Sequence, residues 1–256
     1  MEVVIIGTGN AASVFARLIR KKGHTISQVY GRNLVKAEAL AEQVHSTAVA
    51  DLTALTRNAD IYLIAVADKA VNKVVEQLIV NDHLVLHTTA SLSKDVLKEL
   101  SHRYGVLYPL QSLRKEMDLN TPVPLLVDGN TPEVLLEIEA FARELSATVV
   151  RADDETRVKL HVAAVFACNF TNYMYLKSAE YCEAEGLRFS LLQPLIEETA
   201  TRLRGFHPSE VFTGPAVRGD MATVNKHLSL LEAYPHLHAI YKEISEKISA
   251  QYGPKK

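Results

Sequence analysis

The first twelve residues constrain this chain more than any other segment, because they combine an apolar strand, a glycine turn and the start of an amphipathic helix. They read MEVVIIGTGNAA, the pattern GxGxxA placed directly after a strand. In such a turn Gly7 makes the tight bend, Gly9 lets the backbone approach a pyrophosphate, and Ala12 lets helix and strand pack closely. The helix N-terminus then holds the anion. The segment predicts a bound dinucleotide, and the contact residues expected here are Gly7, Thr8, Gly9, Asn10 and Ala11.

The residues after the second predicted strand indicate which dinucleotide is bound. An NAD site places Asp or Glu there, to accept hydrogen bonds from the ribose 2′-OH. This chain instead has Arg32, followed by Asn33 and, one turn on, Lys36. A guanidinium matches phosphate oxygens, which a carboxylate would repel. We therefore predict NADP. The alternatives are solvated side chains on a surface helix and, more broadly, a glycine turn that binds nothing.

The bulk composition excludes several classes of protein. The chain has 256 residues and a net charge of −2. This length fits a dinucleotide-binding domain followed by a smaller second domain. Its charges are of mixed sign, without a basic block, so we expect no nucleic acid partner. It shows no basic leader and no apolar run of about eighteen residues. We therefore expect no membrane contact and a cytoplasmic location.

Cysteines and histidines give no sign of a disulfide or a metal site. Cys168 and Cys182 lie in one predicted helix, separated by roughly 21 Å along its axis, which forbids a bond between them. We expect both thiols to be reduced and buried. His236 and His238 flank one leucine without a third ligand, so we predict no metal.

Strand and helix patterns alternate through the first 151 residues. The predicted strands are 2–6, 25–30, 61–65, 84–87, 105–108, 124–127 and 148–151, and the predicted helices are 11–22, 34–42, 68–77, 93–102 and 131–145. This alternation indicates an α/β fold with a doubly wound, mostly parallel sheet. Beyond it, the predicted helices are 155–184, 190–204, 223–231 and 235–251. We predict a Rossmann domain over 1–153 and an all-helical domain over 154–256.

Ligands of an open parallel sheet lie beyond the carboxyl ends of its strands. At these ends stand Val66 and Ala67 after one predicted strand and Thr88 after the next, and we expect all three to contact the cofactor. Ser91 follows in a hydroxyl-rich run, where a nicotinamide and a substrate would meet, and is a candidate catalytic residue. The alternative is that Ser91 or Ser93 caps the next predicted helix.

Two further segments offer polar side chains to a substrate. Gln111 follows the fifth predicted strand and carries both a donor and an acceptor. In the predicted helix 155–184, His161, Asn169 and Asn172 share one apolar stripe, where polar groups need partners. We expect Gln111 and Asn172 to bind the substrate and His161 and Asn169 to be catalytic. The alternatives are an ordinary loop and polar groups that satisfy one another.

The loop TGPAVRGD at 213–220 is the last candidate substrate site. Arg218 can bind a carboxylate with two parallel hydrogen bonds, and Asp220 can orient Arg218 or cap the following helix. The alternative is a helix connector with an exposed ion pair.

Five segments together resemble one family. They are GTGNAA at 7–12, GRN at 31–33, YPLQ at 108–111, the helix from His161 to Asn169, and TGPAVRGD at 213–220. They make the chain similar to the Rossmann-like NADP oxidoreductases, which are related to pyrroline-5-carboxylate reductase, the deazaflavin-dependent NADP oxidoreductases and the 6-phosphogluconate dehydrogenase-like superfamily. The resemblance implies a Rossmann domain, a helical domain that forms a homodimer, and an active site in the cleft between them.

The resemblance also bears on the proton donor. Hydroxy-acid dehydrogenases of the superfamily carry a catalytic Lys with an Asn about one helical turn further on. Here Lys159 is followed at that spacing by Ala163, so His161 becomes the better candidate. We predict hydride transfer between NADPH and a small carbonyl or imine. The alternative is a protein that binds NADP as a sensor or scaffold without turnover.

Overall fold

The computed structural model describes residues 1–254, so the last two residues of the predicted helical domain lie outside the described part. Its strands are β1 Glu2–Ile6, β2 Thr25–Tyr30, β3 Thr47–Val49, β4 Ile61–Ile64, β5 Leu84–His87, β6 Tyr104–Pro109, β7 Leu125–Gly129 and β8 Val149–Arg151. They form one sheet in the order β3-β2-β1-β4-β5-β6-β7-β8. The first six strands are parallel, β7 is antiparallel to β6, and β8 is parallel to β7. The predicted mostly parallel Rossmann sheet is confirmed.

Helices cover both faces of this sheet. The first four are α1 Asn10–Lys21, α2 Leu34–Gln43, α3 Asp68–Gln77 and α4 Pro132–Leu145. Successive strand residues face opposite sides. Ile5 shares a buried core with Phe15 of α1 and Phe141 of α4, whereas Ile6 packs in a second core with Val71 of α3. The doubly wound arrangement is therefore confirmed.

Two local predictions in this region are wrong. The strand β3 is missing from the prediction, because it has only three residues and none of them is fully buried, so it carries no apolar signal. The predicted helix 93–102 is a single 3₁₀ turn, Lys94–Leu97. Leu97 is the one fully buried residue of that turn, and the Ser93 hydroxyl accepts the Asp95 N–H at its start.

The chain divides into two compact units, which are residues Met1–Asn169 and Phe170–Lys256. The first, called here the Rossmann unit, includes helix α5 Asp154–Ala164 beyond the sheet, and a π-helical segment, Val165–Phe170, follows α5. The predicted domain border after residue 153 stays a prediction. The π-helical turn interrupts the predicted long helix at the place where the units divide.

The second unit, called here the helical unit, contains no strand among its described residues. Its helices are α6 Thr171–Ala184, α7 Gln193–Arg202, α8 Pro215–Arg218, α9 Met221–Leu230 and α10 Pro235–Tyr252. Cys182 is buried there, as predicted, and both cysteines are free. The prediction that Cys168 is buried is wrong, because its side chain stands on the wall of an open cavity. Across residues 1–254, no helix is long and apolar enough to cross a membrane.

Candidate functional site

The glycine turn after β1 has the conformation that its sequence predicts. Gly7 has a φ of +131°, and a Cβ there would lie 2.2 Å from the carbonyl oxygen of Ala65. No residue with a side chain fits that position. A Cβ on Gly9, in contrast, would meet no atom within 4 Å. The protein's own packing does not require Gly9, which leaves the approach of a ligand as the reason for its small size.

Helix α1 presents an N-terminus suited to an anion. Gly9 is its N-cap and offers no side-chain hydrogen bond, and the first turn carries no acidic residue. The first N–H groups of a helix have no partner within it and lie at the positive end of the helix dipole. A pyrophosphate therefore fits at this point.

A cavity of about 500 Å³, called here the glycine-turn cavity, opens beside this helix end. It brings together eight of the predicted cofactor residues, which are Gly7, Thr8, Gly9, Arg32, Asn33, Lys36, Val66 and Ala67. Asn10 and Ala11 are the first residues of α1. Thr88 is buried, with its hydroxyl 3.5 Å from the Ile64 carbonyl oxygen, and is not among the residues that line this cavity.

The cavity also has two cationic residues that the sequence analysis missed. Lys69 and Lys73 of α3 line it together with Arg32 and Lys36. Their spacing of four residues on the helix that follows Ala67 is the signal that could have identified them. Asn33 has a structural role as well, because its side chain caps α2 by accepting the Lys36 N–H at 3.0 Å.

A second cavity, of about 380 Å³, lies at the carboxyl end of β6 and is called here the Tyr108 cavity. It is lined by Tyr108, Leu110, Gln111, Ser112, His161, Ala164, Ala167, Cys168 and Asn169. The structure thus brings together three of the predicted residues, His161, Asn169 and Gln111, with Tyr108, which the sequence analysis did not single out for chemistry.

The Tyr108 hydroxyl lies 3.0 Å from Nδ1 of His161, and the two rings meet edge to face. Burial raises the pKa of Tyr108, the charge of Asp68 adds to the rise, and the charge of Arg157 opposes it. Tyr108 therefore stays a phenol at neutral pH. Lys159, two residues from His161, does not take part in this contact. It forms an exposed ion pair with Glu155.

The side-chain amide of Gln111 forms hydrogen bonds within its own loop. Its Nε2 donates to the Pro122 carbonyl at 3.3 Å, and its Oε1 accepts the Ser112 N–H at 2.8 Å. Ser91 is not a helix cap: its hydroxyl donates to a carboxylate oxygen of Asp68. The capping alternative holds for Ser93, which begins the 3₁₀ turn.

Arg157 is a buried cation that the sequence analysis also missed. Its side chain is fully buried. Its Nε donates to the Ala90 carbonyl at 3.2 Å, and its Nη2 donates to the Leu92 carbonyl at 2.5 Å and to Asp154 at 2.7 Å. Arg157 stands four residues before His161, so α5 is tied to the loop after β5 one turn from the Tyr108 contact. The mostly charged residues around it in the sequence give no hint of this partner loop.

Next to this loop, His87 is buried at the end of β5. Its Nδ1 accepts the Thr89 N–H at 3.2 Å. Burial, reinforced by the positive charge of Arg157, lowers the pKa of His87 to about 4. His87 is therefore a neutral structural residue and not a proton donor at physiological pH.

Three predicted substrate residues lie in the helical unit. Asn172 is exposed on α6, and Arg218 is exposed at the end of α8. Asp220 caps α9, since its carboxylate accepts the Thr223 N–H at 3.1 Å and the Thr223 hydroxyl at 2.7 Å. These hydrogen bonds lower the pKa of Asp220. Of the two roles weighed for Asp220, the capping one is observed.

Two family models match the chain. Residues 2–91 match a family described as NADP oxidoreductase, coenzyme F420-dependent. Residues 123–248 match a domain of unknown function, DUF2520. No curated protein matches the chain.

Solved structures match over the full length. A Bacteroides fragilis protein assigned as an NADP oxidoreductase is 33% identical, with 98% of each chain covered and a TM-score of 0.92. An imine reductase from Myxococcus stipitatus, solved in complex with NADP+, is 17% identical, with 99% of this chain and 96% of that chain covered and a TM-score of 0.68. A 1-pyrroline-5-carboxylate reductase from Streptococcus pyogenes is 13% identical, with 98% of each chain covered and a TM-score of 0.68. The last two similarities concern the fold.

Proposed function

The chain belongs to the NADP oxidoreductase family of its Bacteroides fragilis relative, and we propose that it is an NADPH-dependent reductase of small carbonyl or imine compounds. The prediction of NADP is thereby confirmed at the level of the family. The observation that carries the proposed reaction is the Tyr108–His161 pair on the wall of a cavity in the unit that also carries the glycine turn. The imine reductase fold of a neighbour supports a C=N substrate alongside C=O.

The residues around the glycine-turn cavity fit NADP. The free N–H groups at the start of α1 would hold the pyrophosphate, with Gly9 leaving room for it. Arg32 and Lys36 would hold the 2′-phosphate, since both line the cavity as exposed cations. When bound, NADPH supplies the hydride that reduces the substrate carbon.

A residue on the wall of the Tyr108 cavity would supply the proton that the reduction requires. Reduction of a C=O or C=N bond leaves a pair of electrons on oxygen or nitrogen, which must take up a proton. The acid form of an imidazole carries hydrogen on both nitrogens, so Nδ1–H of His161 would donate to the Tyr108 oxygen and Nε2–H would remain available to the substrate. His161 is then the catalytic residue, which passes the Nε2 proton to the substrate and is left as the neutral ring, and Tyr108 is the positioning residue that fixes the ring.

A substrate screen tests this function. Purified protein is mixed with NADPH and a panel of cyclic imines, aldehydes and keto acids, and the loss of NADPH absorbance is followed. The same screen with His161→Ala measures the background. We expect at least one compound to be reduced by the parent well above that background. If the parent binds NADPH but oxidises it no faster than His161→Ala with every compound of the panel, a sensor or scaffold is favoured instead.

We also propose that the protein works as a homodimer formed through the helical unit. Among the described apolar residues of this unit, Cys182, Ala216 and Val224 are the buried ones. Large apolar side chains stay exposed there, for example Leu195 at 64% and Phe206 at 59%. So much exposed apolar surface is typical of an interface.

Light scattering on the eluting protein tests the dimer. We expect a mass twice that of the 28.3 kDa chain. Leu195→Glu should lower the mass to that of one chain, while Leu136→Glu, which changes a similarly exposed leucine of the Rossmann unit, should not. A parent protein that elutes with the mass of one chain at all concentrations contradicts the dimer.

A further inference from the structure

Four cationic side chains surround the glycine-turn cavity, and they come from two separate helices. Arg32 and Lys36 stand at the start of α2, and Lys69 and Lys73 stand four residues apart on α3. Residues at this spacing lie on the same face of a helix. Both lysines therefore face the same ligand space as the predicted phosphate residues Arg32 and Lys36.

The charge around this cavity is unbalanced. No carboxylate is among the residues that line it, and none of the four cations forms an ion pair with any residue between 1 and 254. Elsewhere in the same unit, Lys94 is paired with Asp128 at 2.8 Å. Like charges that gather without a counter-ion repel one another and attract an anion.

The pyrophosphate does not need these side chains, because backbone N–H groups at the start of α1 are available to it. The 2′-phosphate adds about two negative charges at the adenosine end, where Arg32 and Lys36 lie. Arg32 can grip that phosphate with two parallel hydrogen bonds, whereas lysines act as mobile point charges. Arg32 and Lys36 match this charge in number, and Lys69 and Lys73 add two further cations that favour the 2′-phosphate over the uncharged 2′-OH of NAD.

We propose that Lys69 and Lys73 form a second cationic arm that binds the 2′-phosphate of NADP and so strengthens the preference for NADP over NAD. The inference rests on the proposed cofactor and extends it to residues outside the glycine turn and the β2 end. It concerns binding alone and does not depend on turnover.

The test compares nucleotide affinities by calorimetry. The parent and Lys69→Ala/Lys73→Ala are titrated with NADPH and NADH, and with 2′-AMP and 5′-AMP as fragments. We expect the double variant to bind NADPH and 2′-AMP roughly tenfold more weakly, the effect of two partly exposed charge contacts. Its affinities for NADH and 5′-AMP should stay within about twofold of the parent by the same reasoning. The control Lys21→Ala/Lys22→Ala, on exposed residues at the far end of α1, should change none of them.

Three results would overturn the arm. Equal weakening of NADPH and NADH would assign the lysines to the pyrophosphate or to general attraction. Unchanged NADPH affinity would give them no part in binding. A parent that binds neither nucleotide would contradict the cofactor assignment on which the arm rests. A parent that binds NADPH without reducing any substrate leaves the arm intact and contradicts only the proposed reaction.

Discussion

The Tyr108 hydroxyl and Nδ1 of His161 lie 3.0 Å apart although 53 positions separate the two residues in the chain. Tyr108 is at the carboxyl end of β6, and His161 is on α5. A buried strand fixes one partner and a helix held by Arg157 fixes the other. The imidazole is thus oriented by two rigid elements of the same unit, which is what a proton donor requires.

Substitution of the two partners should separate their roles. Once a reducible substrate is known, His161→Ala should lower kcat by about 10²–10⁴-fold, the usual contribution of a general acid. Tyr108→Phe should lower kcat by roughly tenfold, the equivalent of one lost hydrogen bond. Neither variant should change the NADPH affinity. Tyr104→Phe is the matched control, because Tyr104 lies on the same strand as Tyr108 and its hydroxyl hydrogen-bonds to Asp95 instead of to a histidine. Equal kcat in Tyr108→Phe and the parent would show that the Tyr108 hydroxyl does not position His161 for catalysis.

The two glycines of the turn should respond to alanine in opposite ways. Gly7→Ala should destabilise the fold by about 2 kcal/mol or more, because its φ of +131° and the Ala65 carbonyl exclude a Cβ. Gly9→Ala should unfold at the parent temperature, since its Cβ meets open space, but should bind NADPH much more weakly. Thermal unfolding and a nucleotide titration check both. A Gly9→Ala protein with parent affinity would place the pyrophosphate elsewhere.

Acid should destabilise the protein through His87. Its pKa is lowered from 6.5 to about 4, first by burial and then by Arg157. Between these pH values the unfolded chain takes up a proton at this residue that the folded protein refuses, so the free energy of unfolding falls as the pH falls. The loss reaches roughly 3 kcal/mol near pH 4.

Urea unfolding between pH 7 and pH 4 measures this effect. His87→Asn, which keeps an acceptor for the Thr89 N–H, should show a flatter decline than the parent. The matched control is His102→Asn, at an exposed position. Parallel curves for the parent and His87→Asn would contradict the buried, neutral histidine.

Loss of the buried guanidinium should weaken the fold around the loop after β5. Arg157→Met leaves the carbonyls of Ala90 and Leu92 without their donor, at a cost of about 1–3 kcal/mol for each buried acceptor. Arg103→Met is the control: its partner Glu137 is half exposed, so the loss should be about 1 kcal/mol or less. Chemical denaturation compares the two. Equal stabilities would show that Arg157 does not hold the loop.

Local patterns were enough to predict the sheet, the glycine turn and the choice of NADP, because each depends on neighbours in the sequence. The antiparallel turn from β6 to β7 was not predictable in this way, since the apolar run of β7 is the same in either direction. The pairings of Tyr108 with His161, of Arg157 with Ala90 and of Lys73 with the glycine-turn cavity join residues that are far apart in the chain. For such contacts the sequence indicates which residue types are present, but it does not indicate which residue each of them meets in the fold.

Calorimetry with NADPH and NADH on the purified parent and on Arg32→Asp measures whether this protein binds NADP and whether Arg32 selects it. We expect the parent to bind NADPH more tightly than NADH and Arg32→Asp to lose this preference, because a carboxylate repels the 2′-phosphate. No heat from either nucleotide, or an unchanged NADPH affinity in Arg32→Asp, would contradict this expectation.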